Sequence, residues 1–197
     1  MNTLRSALFG LLAMAVAAPV AADCDSSVEA TTPTSRFTDN GDGTVTDSLT
    51  TLTWKRCPEL YTFVPADPIE ALPASCTLPV VAVVNPGFDA WSAALQQAET
   101  VNGSGGFAGH TDWRVPNAKE LGSVVERQCM GPSINEVVFP DTSGDWFWTS
   151  TPGFSPDGST TTEGVLAVSF WYGTTEFVDT GMALEMQPLV RLVRGGP

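Results

Sequence analysis

Residues Gly109 to Leu121, GHTDWRVPNAKEL, constrain the fold more than any other stretch of this chain. Trp113, Arg114 and Val115 read as a short strand that Pro116 closes, because the residue before a proline is held in extended backbone. Asn117 and Glu120 then stand three apart, the spacing of a helix N-cap and the glutamate that reaches back to it. Loop, strand and capped helix follow one another within thirteen residues, so strands and helices must lie side by side. Trp113 reads as core, Arg114 as a strut and Asn117 with Glu120 as a cap.

The helix opened at Asn117 is expected to present Leu121, Val124 and Val125 inward and to end near Gln128, with Cys129 at its exit. A second helix is plainer. Trp91, Ala94, Leu95, Ala98 and Val101 fall at helical spacing and form one apolar stripe. Asp89 is the expected N-cap and Asn102-Gly103 the expected stop.

Around these helices the pattern is β. In RFTDNGDGTVTDSLTTLTWKRC, from Arg36 to Cys57, apolar-polar alternation flanks Asn40-Gly41 and Asp42-Gly43, dipeptides suited to hairpin turns. A second turn at Asp47 to Thr51 predicts a small meander with Trp54 facing the core. Trp146 to Thr151 reads as an aromatic strand. Val165 to Tyr172 and Thr174 to Val178 read as a hairpin about Gly173, and Leu189 to Val193 as a last strand buried on both faces. Between Pro58 and Gly87 lies a proline-rich connection whose Val80 to Val84 patch is either a short strand or a loop.

Residues 1–22 read as a secretory signal. Arg5 precedes an apolar run, Ala7 to Ala18, and Val20-Ala21-Ala22 fits a cleavage site. The run is shorter than the ~20 residues a membrane span needs. No membrane insertion is expected after cleavage, residues 23–35 form an extended leader, and 36–197 form one domain. The four cysteines all follow the signal, and an even count in an exported chain suggests two disulfides. Of three possible pairings the favoured one is Cys57–Cys76 with Cys24–Cys129.

The formal charge of −13 repels phosphate backbones, so nucleic acid is not an expected partner. A nucleophilic triad lacks its parts: there is one histidine, His110, and no GxSxG or HExxH string. Asp112, Arg114 and Glu120 read as architecture rather than as a glycosidase pair. Asp39, Asn40, Asp42 and Asp47 form one oxygen-rich cluster, which admits a weak calcium site. The same residues are also what a tight turn requires. Six tryptophans are many for a small core. Trp146 and Trp148, sharing a face by alternation, could join Phe154, Trp171 and Tyr172 in a shallow aromatic groove suited to sugar rings or peptides; core packing is the competing reading.

RFTDNGDGTVTDSLTTLTW, a Trp-bearing helix, DWRVPNAKEL, FPDT, WFWTST and VRLVRGG occur in that order. Over about Arg36 to Gly196 the chain resembles the Lcl C-terminal domain family, named for a bacterial collagen-like adhesin. The resemblance implies an exported bacterial protein, periplasmic or secreted. It implies an α+β, C-type-lectin-like fold: two helices packed on small antiparallel sheets, stapled by disulfides, with the termini close. For some members it implies adhesion or glycan binding. Glycosaminoglycan binding through basic residues does not carry over to so acidic a chain. Calcium-dependent sugar binding of the C-type-lectin kind needs EPN or QPD and a later WND, and none of these occurs. The enzymes that make formylglycine rely on a late cysteine pair, and no cysteine follows Cys129. The expected function is an exported, non-enzymatic binding or adhesion module for a glycan or a surface protein. The alternatives are a structural or accessory subunit of a cell-envelope assembly and, last, an uncharacterised hydrolase.

Overall fold

The computed structural model describes residues 22–78, 91–155, 164–180 and 187–196. The signal up to residue 21, Asp89, the Val80 to Val84 patch and most of the Pro152 to Glu163 loop lie outside the described residues.

The elements begin with β1 (Asp23–Cys24), β2 (Phe37–Asp39), β3 (Thr44–Asp47), β4 (Leu52–Lys55), β5 (Thr62–Val64) and β6 (Ser75–Thr77). Helices α1 (Trp91–Gly103) and α2 (Ala118–Gly122) follow, then β7 (Cys129–Met130), β8 (Trp146–Gly153), β9 (Gly164–Ser169), β10 (Thr174–Asp179) and β11 (Val193–Gly195). This is a mixed α+β fold of small antiparallel sheets. One sheet has the order β11-β4-β3-β2 and another β10-β9-β8, while β1 with β7 and β5 with β6 form two-stranded ribbons.

The meander forms as its turn residues dictate. Gly41 and Gly43 take φ of 79° and 85°, which closes β2 onto β3. Trp54 is paired on both sides, with Val45 and with Val193, and is fully buried.

The three-stranded sheet is covered on both faces. On one, Phe147, Val168 and Phe170 meet Val45, Trp54 and Leu121. On the other, Trp148, Val165 and Ala167 meet the α1 stripe and Trp113. Alternation along β8 therefore sends Phe147 into one core and Trp148 into the other.

Three expectations are corrected. The α2 helix is a single turn ending at Gly122, well before Gln128. Gly122 and Ser123 weaken propagation, and Val125 leaves the helix to bridge Ile134. Val124 and Val125 are buried nonetheless. In the β9–β10 hairpin, Trp171 and Tyr172 sit in the connecting turn rather than in a strand. Residues 189–192 are buried but do not form one regular strand. Leu189 exchanges hydrogen bonds with Trp146 and Trp148, Val190 accepts from Glu59, and Leu192 accepts from Lys55. The segment stitches several elements together, which no single ladder would do.

The disulfides are Cys24–Cys129 and Cys57–Cys76, and no cysteine is free. Among the described residues no helix is long and apolar enough to cross a membrane.

Candidate functional site

The motif residues do what their spacing implies. Asn117 accepts from the Lys119 and Glu120 amides, and Glu120 accepts from Asn117 N–H, which completes a capping box. Glu120 also takes both ends of the Arg114 guanidinium, and Arg114 donates to the Gly195 carbonyl. Trp113 is buried, its indole N–H donating to Phe107 O. The Asn102 side chain bonds both the N–H and the carbonyl of Trp113, tying the end of α1 to the motif. Asp112 pairs instead with Arg194. The two carboxylates, Asp112 and Glu120, thus serve different arginines and do not form an acid-base pair. His110 lies exposed in a turn where its backbone pairs with Phe107.

The oxygen-rich quartet is not one cluster. Asp47 lies opposite Phe37, at the far end of the hairpin from the 40–43 turn. It is buried and held by Arg36, by the Thr50 hydroxyl and by the Leu49 N–H. Burial works to raise its carboxyl, but these partners together hold it below the ordinary range. Asp39 pairs with Arg56, Asp42 accepts from Thr44, and Asn40 bonds Thr44 and Thr46. Every one of these side chains has a protein partner. Among the described residues no group of three or more His, Cys, Asp or Glu side chains is placed to hold a metal ion.

The five aromatic residues do not share a surface either. Trp148 is fully buried and Trp146 half-buried against the same core. Trp171 and Tyr172 are exposed in the turn beyond Ser169, which pairs with Trp146. Phe154, 91% exposed, follows Gly153 at the other end of the β8–β9 ladder. The ladder is five steps long on β9, where β8 carries two extra residues in an irregularity, and at about 3.3 Å a step this puts roughly 17 Å between the two ends. Trp171 packs so closely that a Cβ on Gly144 would sit 2.7 Å from its ring.

What the fold does build lies around the disulfide-stapled loop after β4. Two open grooves flank β5, with Gly41, Phe63 and Pro65 in the wall between them. One, of about 580 Å³, is largely apolar, lined by Phe37, Val45, Pro73 and Val137, with Arg56 and Asp39 at its edge. The other, of about 570 Å³, is lined by Lys55, Glu59, Tyr61, Phe63, Gln97 and Phe107, with Asp42 beside them.

The second groove has a charged floor. Lys55 Nζ lies 2.5 Å from Glu59 Oε1, and both side chains are almost wholly buried. The ammonium also stands 4.3 Å from the centre of the Phe107 ring, whose face attracts a cation. Gln97, from α1, donates to the other Glu59 oxygen at 3.0 Å. Burial pushes the Tyr61 hydroxyl up, and Asp145 and Asp141 add to that, so it stays protonated and able to donate.

Backbone bonds fix this floor. Lys55, Arg56 and Glu59 donate their N–H groups to Leu192, Gly43 and Val190. Beneath them Arg191, fully buried, donates to the Lys55 and Arg56 carbonyls and to the Thr142 hydroxyl, with Phe139 and Phe147 against its guanidinium. Burial pushes Arg191 down to about 9 while Glu59 works to raise it, so it is charged at neutral pH. Sequence reading passed over Lys55, Glu59, Gln97, Phe107 and Arg191. The one signal available was charge in apolar settings: Lys55 and Arg56 directly after core Trp54, and Arg191 inside LVRLV.

The model of the Lcl C-terminal domain matches residues 43–194. No curated protein and no solved structure matches the chain.

Proposed function

The chain belongs to the Lcl C-terminal domain family, and on that premise we propose that it is an exported, non-enzymatic binding module for a glycan, acting at the periplasm or the cell exterior. The observation that carries this reading is the Lys55–Glu59–Gln97 floor beneath aromatic walls. Recognition sites combine apolar or aromatic lining with a few fixed polar groups, in clefts of about 300–1,000 Å³. The two disulfides suit an oxidising compartment. The non-enzymatic reading has the support that every cysteine is oxidised and His110 stands apart on an exposed turn.

A C-type-lectin-like relationship is part of the same proposal. It is supported by the way β11 lies against β4, and Cys24 against Cys129, so that both ends of the described chain are drawn into the fold.

One observation favours a second reading, a structural or accessory subunit of an envelope assembly. Leu60, Val64, Ile69 and Leu72 are exposed on the stapled loop, with Leu78 exposed just after it, and an apolar surface of that kind suits a protein partner. A glycan array together with light scattering on the purified chain separates the two. Glycan hits from a monomer support the binder. A blank array with stable self-association removes the glycan reading in favour of the subunit.

A further inference from the structure

Resting on the glycan reading, we propose that the groove between the 41–43 turn, β5 and α1 is a subsite for one uncharged, hydroxyl-bearing sugar ring, and that it discriminates against acidic saccharides.

The chemistry of the floor selects the ligand. Glu59 Oε1 is buried 2.5 Å from Lys55 Nζ in an ion pair without hydrogen-bond geometry, so it is an acceptor that a ligand hydroxyl reaches by parting it from Lys55. Lys55 has donors beyond the one directed at Glu59. A ligand group placed here meets an acceptor and donors together. A hydroxyl satisfies both, because it donates once and accepts twice. A carboxylate or sulfate cannot donate to Glu59, and it would stand beside the carboxylates of Glu59 and Asp42 in a chain of formal charge −13. An ammonium group has nothing to accept from Lys55 and would be repelled by it.

The walls suit a ring as well. Phe63 and Phe107 approach each other across Gly43, where a Cβ would lie 3.1 Å from Phe107 and 3.3 Å from Phe63. Aromatic faces offer area at low entropic cost to the C–H surface of a sugar. Tyr61 also lines this groove.

The experiment is a nitrogen-edited NMR titration of the full disulfide-bonded chain. The probes are the methyl glycosides of glucose, galactose, mannose and N-acetylglucosamine, with glucuronate and glucose 6-sulfate as the acidic arms. At least one neutral glycoside should shift the Gln97 side-chain amide together with the Gly43 and Phe107 backbone amides. The acidic probes should bind there at least tenfold more weakly. Gln97→Ala removes a donor beside Glu59 without touching either core, and should weaken the neutral glycoside about 3- to 10-fold in a chain whose melting profile still shows it folded. Glu59→Gln, accepted as a test only where the melting profile shows a folded chain, should weaken it at least as much.

Neutral sugars that shift the exposed Trp171 turn but not the groove would overturn the subsite and leave the glycan reading standing. Acidic probes binding the groove as well as neutral ones would overturn the selectivity. No shift with any probe, while the array is positive, also rejects the subsite; no shift with a blank array rejects the reading beneath it.

Discussion

Arg114 and Glu120 face each other through two parallel hydrogen bonds of 2.7 Å, from Nη1 to Oε2 and from Nη2 to Oε1. The pairing joins two functions of one carboxylate. Glu120 caps its own helix through the Asn117 N–H, and the same group orients Arg114 toward the Gly195 carbonyl. A seven-residue segment thereby links the helix start, the Arg114 bridge to Val193 and the last strand of the four-stranded sheet.

Arg114→Ala should lower stability by about 1–2 kcal/mol. The pair is bidentate and charge-assisted, but the Arg114 side chain is 42% exposed, so solvent screening discounts it. Arg114→Lys should restore less than half, since an ammonium cannot make the fork. Chemical denaturation of the three proteins checks both. Equal stability of Ala and wild type would refute the strut.

Gly43 and Gly41 offer an internal control for the groove wall. Both have positive φ, so alanine at either costs on the order of 1 kcal/mol in backbone strain. At Gly41 a Cβ meets nothing within 4 Å, whereas at Gly43 it presses on Phe107 and Phe63. Gly43→Ala should therefore cost clearly more than Gly41→Ala, by about 1 kcal/mol or more. Thermal melts of the two variants read the difference, and equal losses would mean the aromatic walls give way freely.

How much of this was legible depended on sequence distance. The Asn117–Glu120 cap, the hairpin at Asn40 to Gly43 and the Trp91 stripe are each written within one or two turns of chain, so local spacing revealed them. The disulfide pairing was one of three the cysteine count allows, favoured because Cys57–Cys76 staples one loop and Cys24–Cys129 ties the N-terminus to a helix exit, and it is the pairing found. Alternation placed Trp146 and Trp148 on one face correctly, but it cannot say whether that face is solvent or a second core, and here α1 covers it. The end of α2 was misread because buried Val124 and Val125 keep their inward places after the helix has stopped. The groove was invisible for a stronger reason. Lys55 and Glu59 come from the end of a meander, Gln97 from a helix and Phe107 from the loop beyond it, and only tertiary packing brings them together.

Arg191 should be the most sensitive polar position in the chain. Its guanidinium occupies three acceptors in the interior: two carbonyls and the Thr142 hydroxyl. Arg191→Ala would orphan those acceptors and open a cavity beside Phe139 and Phe147, at a cost of about 3–5 kcal/mol. Arg191→Met keeps most of the volume and should recover part of that loss. Urea unfolding midpoints test the order wild type, Met, Ala. An alanine variant as stable as wild type would contradict the placement of Arg191 beneath the groove.

Acid should unfold the protein through a small set of buried carboxylates. Burial works to raise Glu126, but the Gln128, Thr31 and Thr32 amides and the Thr32 hydroxyl hold it below its ordinary 4.5. Asp47 and Glu120 are likewise lowered, against burial, by Arg36 and Arg114 with neighbouring hydrogen bonds. A carboxyl depressed in the folded state binds protons less readily there than in the unfolded chain, so it favours folding wherever it is ionised. That contribution is complete above the ordinary value of 4.5 for glutamate and 3.8 for aspartate, and is lost as pH falls through the lower folded values. Melting temperature should therefore be nearly flat from pH 7 to about 5 and fall steeply below about 4. Glu126 holds the leader through Thr31 and Thr32. Glu126→Gln should thus lower the plateau at neutral pH and flatten the acid limb, while a surface control such as Glu29→Gln should shift neither. An unchanged acid limb in the Glu126 variant would show that the leader clasp does not govern acid stability.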